Sequence, residues 1–181
     1  MRHLFKHHSI KNGWLIELVR IFIAHSSEDE WLFKPIADNL RLIGVEPYLA
    51  KLEDPTPCAL PQKLDSAIQS SAAMFVFLTP SVAENKGMRD VINWEISSAY
   101  AKRRPIYVFR EKGVEVPLMV NYITVYATYD PISRESLNKM VNKVQEIAHA
   151  FKESEDKAKA AFAMIGVFLG LLFIGSLLAG D

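Results

Sequence analysis

The chain of 181 residues has a single cysteine, Cys58. One thiol forms neither an internal disulfide nor a zinc site by itself, which excludes a small disulfide-stapled scaffold. Charge of one sign is also missing, since 21 Lys+Arg balance 21 Asp+Glu. Without a net field the chain has no general pull on a polyanion, and no nucleic-acid partner is expected. There is no GxGxxG or GxxxxGK[ST] phosphate loop and no GxSxG elbow. His25 beside Ser26 is therefore not read as part of a triad. His3, His7 and His8 have no carboxylate or cysteine in register with them, so no metal site is expected. The histidine-bearing start is too polar for a secretory leader, and residues 1–18 are expected to form a loose basic arm.

What is present is apolar and concentrated. Hydrophobic residues make up 50% of the chain, which rules out general disorder. Residues 160–180 contain no charge, and Ser176 is their one polar side chain. A membrane-crossing helix needs about 20 such residues. We expect a transmembrane helix here, followed only by Asp181, and hence a single-pass C-terminal anchor in the lipid bilayer. Lys152, Lys157 and Lys159 flank its near side, so the preceding domain is expected in the cytoplasm. Residues 152–159 read as a charged helical linker. Gly166 and Gly170 have the spacing that lets two membrane helices approach closely, a candidate self-association face.

Residues 19–151 alternate between two periodicities. Residues 19–24 are apolar and rich in β-branched side chains, as in a buried strand, and His25-Ser26-Ser27 breaks the run. Glu28, Asp29 and Glu30 follow, suiting the positive first turn of a helix that Gly44 ends. Residues 45–49 form a short second strand. Pro55, Pro57 and Pro61 mark a loop leading into a second helix. Residues 73–78 are continuously apolar, like a central parallel strand covered on both faces. A helix over about 88–102, strands at 105–109 and 123–126, and an amphipathic helix over 133–151 complete the pattern. Five strand–helix repeats predict a flavodoxin-like, doubly wound, five-stranded parallel sheet in the order 2-1-3-4-5. Ligands of such sheets bind at the carboxyl ends of strands 1 and 3, here at Ala24-His25-Ser26-Ser27 and Leu78-Thr79-Pro80-Ser81. A phospho-acceptor receiver would need clustered acids at the end of strand 1, and they are missing.

One carboxylate breaks the pattern. On the helix after strand 3, Val91, Ile92, Ile96 and Ala99 form an apolar stripe, and Glu95 falls inside it. An acid placed there loses water and has a disturbed proton affinity, as catalytic acids often do.

Arg20-Ile21-Phe22-Ile23-Ala24-His25-Ser26-Ser27-Glu28-Asp29-Glu30 resembles the first box of Toll/interleukin receptor (TIR) domains of prokaryotic type. Ser70-Ser71-Ala72-Ala73-Met74-Phe75-Val76-Phe77-Leu78-Thr79-Pro80 resembles the third-strand box. Asn93-Trp94-Glu95-Ile96-Ser97-Ser98-Ala99 is similar to the segment that carries the glutamate of NAD-cleaving members. The family's proline–glycine pair of the long loop stands here as Pro57-Cys58. The resemblance implies an NAD hydrolase with Glu95 as its catalytic acid and Ala24, His25, Ser26, Ser27, Lys51 and Trp94 as substrate contacts. NAD is then a substrate, and no resident cofactor is implied. It also implies self-association of TIR domains and a role in stress or phage-defence signalling, with linear and cyclic ADP-ribose both open as products. Some family members are instead non-enzymatic adaptors that signal through TIR–TIR assembly, which is the alternative expectation.

Overall fold

The computed structural model describes residues 8–11, 14–49, 60–115 and 123–153. Strands β3 (Val19–Ala24), β4 (Val45–Leu49), β5 (Ala73–Leu78), β6 (Ile106–Glu111) and β7 (Val125–Tyr129) form one sheet in the order β4-β3-β5-β6-β7. Every neighbouring pair in it is parallel. Renumbered from the first of these strands, this is the expected order 2-1-3-4-5. Helices α1 (Glu30–Leu42), α2 (Leu60–Ser70), α3 (Pro80–Glu84), α4 (Lys86–Ala101) and α5 (Arg134–Glu153) connect and flank the strands. Pro47 is tolerated within β4 because that strand is an edge, where a missing ladder donor harms least.

The period-2 alternation of the strands divides the core in two. Val19, Ile21 and Ile23 of β3 and Ala73, Phe75 and Phe77 of β5 pack with Phe33, Ile36 and Leu40 of α1 and with Val144, Ile147 and Phe151 of α5. The intervening residues Phe22, Ala24, Met74, Val76 and Leu78 pack with Leu64, Ala67 and Ile68 of α2 and with Ile92, Ile96 and Ala99 of α4. Both faces of the central strands are thus covered, which is why β3 and β5 read as unbroken apolar runs.

Gly44 ends α1 as expected, with φ +76, and a side chain there would also collide with Lys152. Lys152 Nζ donates to the Ile43 carbonyl at 2.6 Å, tying the end of α5 to the end of α1. At the same edge of the sheet, the buried Arg20 guanidinium donates to Glu46 at 2.9 Å and to Ser70 at 3.0 Å.

Two sequence expectations need revision, and a third lies beyond the described residues. Residues within the expected loose arm form a separate antiparallel ribbon, β1 (His8–Lys11) paired with β2 (Trp14–Glu17). Alternation at Leu15 and Ile16 is too short to be told from a lead-in to β3 by pattern alone. The last two strands run further than expected, to Glu111 and Tyr129, because ladder pairing continues to Glu111↔Tyr129 through polar side chains. Among the described residues no helix is long and apolar enough to cross a membrane. The expected span at 160–180, and linker residues 154–159, lie outside the described residues.

Candidate active site

Parallel strands deliver their connecting loops to one edge of the sheet, where β3 and β5 feed helices that diverge. The β3–β5 ladder ends at Ala24↔Val76, and beyond that pair the two chains turn apart. After β3, Ser26 is buried and its hydroxyl accepts from the Glu28 N–H at 3.3 Å, capping a 3-10 turn, Ser27–Asp29. After β5, Thr79 is 2% exposed and opens α3.

Glu95 sits in the middle of α4 and is 3% exposed. Its stripe on the helix, one turn on, carries Ser98 and Lys102, and both donate to Asp65 of α2. The Ser98 Oγ–Asp65 Oδ1 distance is 2.8 Å. Spacings of three and four put Glu95 on that same α2-facing side. Its neighbours Ile92 and Ile96 belong to the core layer that includes Ala24 and Leu78, the last residues of β3 and β5. Among the described residues no hydrogen-bond donor is found at its carboxylate. Burial alone pushes its pKa from 4.5 up to about 8. An acid kept in apolar surroundings without a described partner is costly to the fold, and such groups concentrate at functional sites.

The other expected site residues divide. Ala24 borders the layer of Glu95. His25, next along the strand, turns to the opposite face, where its ring meets Phe33 edge-on at 4.9 Å. Its Nδ1 lies 3.3 Å from the Ile23 carbonyl, and burial holds its pKa below the usual value, so the ring is neutral. Ser27 is exposed at the mouth of the edge. Trp94 is 40% exposed, about a quarter turn round the helix from Glu95, so the two side chains leave α4 in different directions. Lys51 lies outside the described residues.

The sequence reading passed over one set of contacts. Asp29 Oδ2 accepts from Thr79 Oγ1 at 2.5 Å, and its Oδ1 accepts from Ser81 Oγ at 3.0 Å. The sequence reads Asp29 only as a helix-start acid. Thr79 and Ser81 stand at a marked strand end, but Asp29 lies beyond the other, so no local signal pairs them.

The sheet order and the acid buried under α4, among neighbours of the layer that includes Ala24 and Leu78, define a flavodoxin-like α/β domain with one candidate catalytic carboxyl. Residues 21–141 match the TIR domain family, and the chain belongs to it. No curated protein matches the sequence. Among solved structures, the chain is similar to the CMP N-glycosidase BcmB of Clostridium botulinum, at 17% identity and TM-score 0.50, over 67% of this chain and 97% of that one. It is also similar to a diflavin flavoprotein A3 from Nostoc sp., at 11% identity and TM-score 0.51, over 74% of this chain and 92% of that one. The TIR domain of the Toll-related receptor TRR-2 from Hydra magnipapillata aligns at 20% identity and TM-score 0.48, over 69% and 97% of the two chains. At such identities the likeness is one of fold.

Proposed function

We propose that this TIR domain cleaves the nicotinamide–ribose bond of NAD, with Glu95 as the catalytic carboxylate. The observation that carries the reading is the burial of Glu95 without a described partner, in the layer that reaches the switch point of β3 and β5. Nicotinamide in NAD is a cationic leaving group and departs without being protonated. Positive charge then develops on the ribose ring. One anion beside that ring supplies the stabilisation the reaction needs, and in a low-dielectric layer its effect is large. Ordinary glycosidases need a second carboxyl because their leaving group must be protonated. The family resemblance around Asn93-Trp94-Glu95 supports the same assignment.

With a pKa of about 8, Glu95 is mostly protonated at pH 7 when the site is empty. A bound nicotinamide cation favours the anion, so substrate itself switches the acid to its working form. Backbone N–H groups around Ser26 and Ser27 would hold the sugar or phosphates, and the family resemblance adds Lys51 as a contact to the dinucleotide.

In this reading residues 160–180 anchor the domain in a bilayer with the TIR domain in the cytoplasm. Confinement to a plane raises the effective concentration of copies, and Gly166 and Gly170 supply a helix–helix contact. Gly170→Leu is expected to lower self-association in liposomes, read by crosslinking. Unchanged oligomer size removes the role of that face. Nicotinamide release from NAD by the liposome-bound full chain is the test of the activity. Glu95→Gln is expected to lower kcat by about 10²–10³-fold. Undiminished release with Gln at this position removes Glu95 from the mechanism. An inert native chain that still binds other TIR domains favours an adaptor.

A second reading is favoured by the same raised pKa. A protonated Glu95 suits an N-glycosidic bond whose leaving base is uncharged and needs a proton, as the name of the CMP N-glycosidase suggests for that protein. The two readings predict opposite pH limbs. Cleavage of NAD rises with pH toward 8, whereas acid-assisted cleavage of a nucleoside monophosphate falls above it.

A further inference from the structure

Two of the three side chains joined at the switch point break a local rule in the same way. Asp29 is the residue at which α1 begins, and its carboxylate makes no capping hydrogen bond to that helix. Thr79 holds the same position for α3, and its hydroxyl makes no capping bond either. Asp and Thr are strongly favoured caps, and forgoing one leaves the helix start less stable. Both side chains instead point across the gap: Thr79 Oγ1 donates to Asp29 Oδ2 and Ser81 Oγ to Asp29 Oδ1. The bridged residues are 50 and 52 positions apart in sequence. Among the described residues these are the side-chain hydrogen bonds that join the β3–α1 turn to the β5–α3 turn. They lie beyond Ala24↔Val76, where the ladder between the two strands has ended. A chain gains little by giving up two caps unless the link does something the caps do not.

We propose that Asp29 is a positioning residue: its carboxylate clamps Thr79 and Ser81 and sets the separation of the two turns that rim the site. The proposal rests on the reading that this edge of the sheet binds NAD. Asp29 itself touches no reacting atom. It holds the backbone of Ser26 and Ser27 at a fixed distance from the end of β5, so that the sugar and phosphates meet preformed N–H groups. Positioning of this kind shows in substrate binding more than in the chemical step.

The test uses the liposome-bound full chain with NAD as substrate, together with amide hydrogen exchange. Asp29→Ala, and separately the pair Thr79→Val with Ser81→Ala, are each expected to raise KM for NAD about tenfold while kcat changes less than about threefold. Combining all three is expected to add little further, because one clamp is being removed twice. Thr79→Ser keeps the hydroxyl and is expected to restore KM, while Thr79→Val, nearly equal in shape to threonine, is not. Additive losses, or Ser and Val behaving alike at position 79, overturn the clamp. If the native chain leaves NAD intact, the proposed function fails and exchange decides the clamp alone. Amides of residues 26–29 and 79–83 then exchange about tenfold faster in Asp29→Ala, with no further increase in the combined variant. Unchanged or additive exchange overturns it.

Discussion

The two faces of the sheet are built from the same strands, residue by residue in alternation, yet they are finished differently. On the α1/α5 face the side chains form a continuous aromatic layer. Phe33 meets Phe77 at 4.6 Å between centroids, Phe77 stacks on Phe109 at 5.0 Å, and Phe75 meets Tyr107 edge-on at 5.6 Å. Its polar groups are neutral. The hydroxyls of Tyr107 and Tyr129 are buried and find no hydrogen-bond partner among the described residues, and burial raises both pKa values so that neither ionises near neutrality. On the α2/α4 face the packing is mainly aliphatic, with Phe22 stacked on Tyr48 at 5.5 Å, and is interrupted by Glu95, with the Asp65–Ser98–Lys102 cluster one turn further along α4. The first face is a structural floor. The second gives up apolar contact to hold an acid, and the proposed function rests on that asymmetry.

The contrast is sharpest in stability measured for one substitution on each face. Phe77→Ala removes a fully buried ring from the aromatic layer and is expected to cost about 3–5 kcal/mol by denaturant unfolding, at every pH. Glu95→Gln is expected to act in the opposite direction and to depend on pH. The folded pKa of about 8 exceeds the ordinary 4.5, so between these values the unfolded chain binds fewer protons than the native one. Stability of the native protein therefore falls as pH rises from 4.5 to 8 and then levels. The Gln variant lacks this slope and becomes the more stable by about 3–5 kcal/mol above pH 8. A flat difference across that range would place the Glu95 carboxyl in contact with water and erase the distinction between the faces.

Under the proposed function the same group sets the pH dependence of activity. If cleavage of NAD uses the carboxylate, kcat/KM is expected to rise about tenfold per unit below pH 8 and to level above it. The inflection in kcat is expected at lower pH, because the bound nicotinamide cation favours the ionised acid. A kcat/KM profile that falls through pH 8 instead supports a protonated acid acting on an uncharged base.

Much of this contrast was legible in the residues. The unbroken apolar runs of β3 and β5 announced strands covered on both sides, and a carboxylate three residues after Ile92 stood out from its stripe. The periodicity that placed Glu95 is local, and so survived without coordinates. What was not legible is non-local. The clamp needs Asp29 to meet Thr79 and Ser81 across two turns, and no spacing encodes that meeting. The resemblance and the end of strand 1 both point to His25 as a substrate contact, but strand alternation, which sends its ring to the other face against Phe33, is a non-local packing outcome that no motif carries. The ribbon of β1 and β2 was missed because strands of four residues carry too little pattern.

The smallest effect concerns the bond between α2 and α4. Lys102 Nζ donates to Asp65 Oδ1 and to Ser98 Oγ, the latter at 2.9 Å, and the lysine lowers the Asp65 pKa below its usual value. The Asp65 side chain is 49% exposed, so solvent screens the pair and its loss is expected to cost only about 0.5–1 kcal/mol. The consequence for Glu95 should exceed what that figure suggests, because the α2–α4 contact keeps water from the acid one turn away. Asp65→Asn is therefore expected to lower the inflection of kcat/KM below 8, toward the ordinary carboxyl value, with little change in overall stability. If the inflection stays in place, the burial of Glu95 is maintained by Ile92, Ile96 and the sheet alone, and the polar cluster belongs to helix packing rather than to the site.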